Sequence, residues 1–329
     1  MWILTATLKR AAQLIVLFLL VTAATFILSS LIPGDFFTTH QVDPSIRAET
    51  VTQLRQRYGL DQPFYVQYAH WLKGLVHLDL GPSLFYGTPV STVVADALSR
   101  TLWIGIPALV LAFGGGILLG TLHGICRNRW PGYVLDFLST TALSLPSLVL
   151  GLSALLLASR TNWFPLGSMS SSQLQAPGFW PWLADRIHHL VLPVMCLTLP
   201  LLAYIERIQR AATQSTWSEL YVRSARSRGL GRGRIFVHYL LRPALNPILS
   251  TSGPIFGAIL SGSLVLEVIF AWPGLGQVTY DALFNRDLFL LVGSVVGSSV
   301  LLIVGNLAAD LLLVALDPRT RSAGSGVTP

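Results

Sequence analysis

Few side chains in this sequence stand at spacings that do chemistry. Seven His residues are scattered along it. Only His188 and His189 are neighbours, whereas a helical metal pair needs two His at i and i+4 to share a face. Both read as interfacial. Cys126 and Cys196 sit in or beside apolar runs and form no Cys-x-x-Cys, so they read as small buried residues rather than a disulfide framework. A phosphate-cradling loop, Gly-x-x-x-x-Gly-Lys-Ser/Thr, occurs nowhere. Gly231-Arg-Gly-Arg234 lacks the lysine and the preceding strand and reads as a turn. Four ionisable residues fall at apolar depth: Asp136, Glu206, Glu267 and Asp310. All four lie near expected helix ends, where they cap helices or meet water, and they form no proton-relay chain. Glu267, beside Trp272, Pro273, Gly274 and Gly276, is the best placed to shape an outer mouth or gate. No catalytic constellation and no metal site is expected.

The most informative stretch is basic. Thr216 followed by Glu219 has the pattern of a capping box. Gly229 fits the left-handed position that closes a helix, and Arg226 and Arg228 suit its last turn. A short helix of about 12 residues is therefore expected, and one that short needs something to pack on. Ser224 and Ala225 are small residues that permit close approach to another protein. A second basic run, Arg232 to Pro243, leads amphipathically into an apolar segment. The alternative is a basic loop at the membrane surface that only fixes topology.

The elements that position these residues follow from composition. Of 329 residues, 52% are hydrophobic and 11% charged, against about 25% charged in an ordinary soluble domain. Mean hydropathy is +0.61. A water-facing surface needs more charge than this, so an all-α polytopic membrane protein is expected. A span needs about 20 apolar residues. Six runs qualify: residues 11–32, 101–124, 134–158, 189–206, 247–270 and 288–316. Pro146, Pro193, Pro200 and Pro254 fall inside them and are tolerable as kinks. A secretory signal is the alternative for the first run. It exceeds the usual signal core of about 7–15 residues and lacks a cleavage site, so it reads as an uncleaved helix.

Charge orients the spans. With a cytoplasmic N-terminus, residues 1–10, 125–133, 207–246 and 317–329 lie inside and hold 14 of the 22 Lys and Arg, eight of them in 207–246. Their acids are Glu219 and Asp317. The positive-inside bias thus places both termini in the cytoplasm. The organisation reads as 1–32, cytoplasmic N-terminus and first span; 33–100, an external segment; 101–316, a transmembrane core carrying the loop 207–246; and 317–329, a cytoplasmic tail whose end, Ser322–Pro329, is expected to be disordered.

Within 33–100, residues 54–63 read as a short helix capped by Gly59, then a turn. Residues 64–76 carry Phe64, Tyr65, Tyr68, Trp71, Leu72 and Leu75 at helical spacing. That face is either a cap packed on the bundle or membrane, or a docking surface for an outside partner. Residues 159–188 read as loop with a short helix. Gly253-x-x-x-Gly257 and Gly293-x-x-x-Gly297 permit close helix packing, within the chain or against a second subunit.

The order of motifs resembles a known family. Ala225-x-x-x-Gly229, with apolar residues resuming near Tyr239 and Leu241, resembles the cytoplasmic EAA motif of permeases of bacterial ABC importers. Tyr221 to Leu230 is similar to the tyrosine-containing version in the dipeptide, oligopeptide and nickel permeases. Leu31–Asp35, Tyr58–Pro63, Gly81–Ser83, Ser144-x-Pro146, His189–Pro193, Glu267–Gly276, Asp310 and Leu316–Arg319 extend the resemblance over nearly the whole chain. Leu220 stands where the family commonly has an acid, Arg223 and Ser224 replace the first two letters of the triplet, and Arg242 stands where proline is common.

The resemblance implies a fold of the type I ABC importer permease kind: six transmembrane helices, a large periplasmic segment between the first two, and a coupling helix between the fourth and fifth. It implies a non-catalytic permease of the bacterial inner membrane. Cytoplasmic ATPase subunits would carry ATP and Mg, with no cofactor on this chain. Partners would be a second homologous permease, an external solute-binding protein and membrane lipid, with no nucleic acid. The coupling contact would comprise Glu219, Tyr221, Arg223, Ser224, Ala225, Arg226, Arg228, Gly229 and Leu230. The cargo would be peptides or related small solutes. Two readings compete: a self-contained secondary transporter or channel, and an anchoring protein whose basic loop recruits a cytoplasmic partner.

Overall fold

A computed structural model describes residues 2–31, 34–39, 48–126, 130–171 and 178–316. The expected tail 317–329, Ile32, Pro33 and the side chain of Asp310 lie outside the described parts. Every regular element among the described residues is helical, and the one extended feature is an isolated bridge between Pro82 and Pro89.

In chain order the helices are α1 (Trp2–Leu31), α2 (Phe36–Thr39), α3 (Ala48–Tyr58), α4 (Phe64–Val76), α5 (Val90–Ile125), α6 (Trp130–Ser144), α7 (Ser147–Thr161) and α8 (Phe179–Ser218). They continue as α9 (Leu220–Ser227), α10 (Arg232–Arg234), a π-helical stretch Ile235–Leu241, α11 (Arg242–Ala244), α12 (Asn246–Ser250), α13 (Ser252–Ile269), α14 (Leu275–Phe284) and α15 (Leu288–Leu316). Among the described residues five helices are long and apolar enough to cross a membrane, and six spans result if the bent pair α6–α7 counts as one.

Four expectations need correction. The run 134–158 is not one helix: α6 and α7 meet at a bend of 102°. Pro146 disfavours helical backbone at Leu145, lacks an N–H, and restarts the chain as the extended residue before α7. The second run begins at Val90, so helix runs unbroken through position 100. The fourth begins ten residues early, at Phe179, and runs on to Ser218, with Pro193 and Pro200 inside it. The segment 207–218 is therefore helix rather than loop. The fifth run breaks at Thr251, between α12 and α13.

The chain divides into two compact units, residues 1–101 with 273–303, and residues 102–272 with 304–329. In the first, α4 lays Trp71, which is 4% exposed, against Phe26 of α1 at a ring separation of 5.8 Å. The Tyr68 hydroxyl donates to the Leu19 carbonyl at 3.0 Å. This inner face of α4 is a packed cap, whereas Phe64 and Tyr65 are exposed. Gly59 follows α3 at φ +67°, and the Leu60 N–H reaches the Arg55 carbonyl at 3.0 Å, closing the helix as expected.

Asp287, wholly buried, caps α15 by accepting the Leu290 N–H at 3.1 Å. It also accepts the Ser83 hydroxyl at 2.8 Å and the Phe85 N–H at 3.0 Å, fixing the loop before α5. The Tyr86 hydroxyl donates to Asp281 at 2.8 Å, and burial together with that bond pushes its phenol well above the ordinary value. Gly297 brings α15 onto Val94 and Leu275.

The second unit has an apolar core in which Ile104 and Ala108 of α5 meet Leu197 and Ile205 of α8, and Ile255, Ile259 and Leu266 of α13. A stripe of glycines, Gly116, Gly120 and Gly124, runs down the face of α5 towards α8. A Cβ at Gly116 would lie 2.7 Å from Ile205, and one at Gly124 2.7 Å from Thr213. Only glycine admits that approach.

Candidate functional site

The expected basic helix is α9, and its start and length differ from expectation. It has eight residues, Leu220–Ser227. Thr216 belongs to the last turn of α8 and is buried there, so no capping box forms. Glu219 is instead the extended hinge between the two helices, at φ −65° and ψ 143°, with no side-chain cap bond. Its N–H is bonded to the Thr216 carbonyl at 3.2 Å.

The C-terminus closes as the sequence predicts. Gly229 has φ +72°. Its N–H bonds the Arg226 carbonyl at 3.0 Å, and the Leu230 N–H reaches the Ala225 carbonyl at 3.4 Å. These two bonds satisfy carbonyls that the helix end would leave bare. Leu230 then folds back onto the cluster that contains Ala225.

One face of α9 is held by its own chain. Val222, wholly buried, and Ala225, 3% exposed, pack on Ile235, Leu230 and Tyr239. Ala225 therefore supports the helix from behind and is not on its outer surface. The spacing of Val222 and Ala225, three apart, puts both on that inner face. Glu219, Leu220, Tyr221, Arg223, Ser224, Arg226, Arg228 and Gly229 are exposed. Arg226 lies over the Trp217 ring, 3.6 Å from its centroid, so the end of α8 orients one of the three arginines. No carboxylate pairs with Arg223, Arg226 or Arg228 among the described residues. Beside them Trp217, Arg226, Arg232 and Phe236 line an open recess of about 670 Å³. The result is a cationic, part-aromatic surface on a short helix with a fixed backing.

The residues expected at an outer gate divide between the two units. Glu267 and Trp272 are wholly buried in the second, where the Trp272 N–H closes on the Glu267 carbonyl at 2.8 Å. Pro273, Gly274 and Gly276 belong to the first. There Gly274 precedes α14, and the Leu275 N–H is held by the Thr101 hydroxyl at 2.9 Å.

A buried polar cluster in the second unit escapes sequence reasoning. His123 of α5 and Glu206 of α8 are 2% and 1% exposed, and Nδ1 lies 2.5 Å from Oε1. The Ser139 hydroxyl of α6 donates to the other oxygen of Glu206 at 2.7 Å. Glu206 is thus mid-helix and paired, not at a helix end, because α8 continues twelve residues beyond it. Asp136 pairs with Arg210 and lies 3.9 Å from the other ring nitrogen of His123. The one signal in the sequence was a polar residue of each type within otherwise apolar runs. His188 and His189 bond backbone carbonyls, of Trp163 and Asp185, both at 2.8 Å. Among the described residues no group of His, Cys, Asp or Glu is arranged to hold a metal ion.

Known proteins give this architecture a context. The chain is 34% identical over 313 residues, 94% of its length and 97% of the relative's, to an oligopeptide transport system permease protein of Bacillus subtilis. It is 31% identical over 315 residues, 95% and 98% of the two chains, to a glutathione transport system permease protein of Salmonella choleraesuis. Among solved structures, the inward-facing MetNI methionine ABC transporter matches with a TM-score of 0.54 and 14% identity, over 68% of this chain and 96% of that one, which shows a shared fold. Residues 3–101 match the N-terminal part of a membrane component of binding-protein-dependent transport systems, and residues 116–322 match the inner-membrane component itself. With both stretches matched, the chain belongs to the family of inner-membrane components of binding-protein-dependent transport systems, as a multi-pass permease.

Proposed function

We propose that this chain forms half of the translocation path of an ATP-driven importer for peptides or related small solutes, paired with a second permease. An external solute-binding protein delivers the cargo, and separate cytoplasmic subunits bind ATP and Mg and hydrolyse ATP. Both termini and the segment 207–246 face the cytoplasm. The names of the oligopeptide and glutathione relatives support the cargo class.

The observation that carries the coupling role is α9 itself. Its inner face is fixed by Val222 and Ala225, while Tyr221, Arg223, Ser224, Arg226 and Arg228 are exposed. A helix of eight residues holds its shape only through such packing. Closure of the ATPases would push on this exposed face and rock the spans between inward- and outward-facing states. Glu267 and Trp272, with Pro273, Gly274 and Gly276, would shape the outer gate.

The test is purification of the chain with its cytoplasmic partners, followed by reconstitution. The chain alone should turn over no ATP. The complex should hydrolyse ATP faster when loaded binding protein is added, and take up solute as it does so. Gradient-driven uptake by this chain alone, with no ATPase attached, would overturn the reading in favour of a secondary transporter.

A further inference from the structure

The His123–Glu206 pair is buried, ionisable and unused by the coupling surface. Ionisable groups in a membrane-spanning bundle are costly, and those retained are paired and serve a function more often than not. This pair joins three helices: His123 from α5, Glu206 from α8 and Ser139 from α6. Both oxygens of Glu206 are engaged, one by the ring nitrogen at 2.5 Å and one by the hydroxyl at 2.7 Å. The charged groups facing it are Asp136 of α6, which lies 3.9 Å from His123 Nε2, and Arg210 of α8, which pairs with Asp136. One turn along α8, the Gln209 amide donates to Thr121 of α5 at 3.0 Å. Gly120 lets the backbones close far enough for all of this, since a Cβ there would lie 2.5 Å from the Glu206 carbonyl.

Position gives the cluster its meaning. Glu206 stands twelve residues before the end of α8, about 18 Å along a continuous helix at 1.5 Å per residue. Only Glu219 separates that end from α9. A push on α9 therefore travels up α8 to the cluster without crossing a flexible loop. A packed seam with a buried hydrogen-bonded pair does not slide in small steps, because half-broken pairing leaves a buried polar group unsatisfied.

We propose that His123, Glu206 and Ser139 form a buried clasp that locks α5, α6 and α8 into one lever, so that displacement of α9 moves the three helices together. The inference rests on the reading of α9 as the ATPase contact. The three are positioning residues, acting through α8 on a surface they do not touch.

Two measurements separate the clasp from that reading. Spin labels go at the exposed positions Leu122 of α5 and Ala211 of α8, in the whole transporter reconstituted in lipid. The expected result is one narrow distance distribution for the unsubstituted clasp, the same with and without trapped ATP, which broadens in Glu206→Gln and in His123→Gln. The same distribution in both variants as in the unsubstituted clasp, or a distance that changes with ATP, overturns the clasp.

The second measurement is the stimulation of ATP turnover by loaded binding protein. It should fall about tenfold in either variant, within the usual range of coupling between sites. The double variant should lose no more than the worse single one, and exchange of the two residues, His123→Glu with Glu206→His, should recover part of the loss. Full stimulation in the assembled single variants overturns the lever. Absence of stimulation in the unsubstituted transporter overturns the proposed function instead, while the label distances still decide the clasp.

Discussion

At the residue scale, Gly229 is the position where backbone geometry and role coincide. Its φ of +72° is one that L side chains rarely adopt, although a Cβ there would meet nothing within 4 Å. The cost of replacing it is therefore conformational, about 1–2 kcal/mol for a residue other than Gly or Asn. Gly229→Val should reduce uptake about tenfold or more on this ground, with the amount of inserted protein unchanged; Gly229→Asn, which tolerates the left-handed region, should keep most activity. Vesicle uptake set against quantified membrane protein checks both, and normal uptake by the valine variant would refute the assignment. Gly229 was legible in the sequence because a left-handed helix stop is local. The burial of Ala225 was not, because the inner face of α9 is chosen by Ile235 and Tyr239, which fold back from beyond the turn.

At the element scale, the decisive feature is the length of α8. Forty residues run from Phe179 to Ser218 through two prolines. Each proline removes one hydrogen bond, yet buried packing on either side, including Pro193 itself, keeps the helix continuous. Hydropathy alone marks only its apolar middle, so both polar ends read as loop. The glycine stripe on α5 is not legible in the sequence for the same kind of reason: Gly253-x-x-x-Gly257 and Gly293-x-x-x-Gly297 have the same spacing, and sequence does not rank them.

The structure makes Gly120 the tightest position of that stripe. A Cβ there would lie 2.5 Å from the Glu206 carbonyl and 2.7 Å from Gln209 Cβ, whereas at Gly114 nothing lies within 4 Å. Gly120→Leu should lower stability by about 1–3 kcal/mol or more through overpacking. Gly114→Ala should not. Thermal unfolding of the detergent-solubilised protein measures the difference, and equal stability of the two variants would refute the seam.

At the scale of the whole molecule, the charge distribution and the spans make a topology prediction. With 14 of 22 basic residues in the segments assigned inside, the ends and α9 should face the cytoplasm. Alkaline phosphatase, active only outside, should be active when fused after residues in α4 and inactive when fused between α9 and α11. A reversed pattern would overturn the orientation and with it the contact between α9 and a cytoplasmic ATPase. The bent pair α6–α7 is the segment where span counting from hydropathy differs most from the structure, because a 102° bend halves an apolar run that is long enough to cross by length alone.

The sequence by itself determined that this is a helical membrane protein, how many apolar runs it has, which segments carry the positive charge and where the exposed basic helix ends. These are properties of composition, local backbone preference and motif order, which survive without knowledge of neighbours. Only the tertiary structure decided which face of α9 is exposed, that α8 connects it to the buried cluster without a break, and that His123, Ser139 and Glu206 meet. The last three are separated by 16 and 67 positions in the chain and share no periodic pattern. Their meeting is set by the approach of α5 and α8 across glycines, a property of packed helices and not of any one segment.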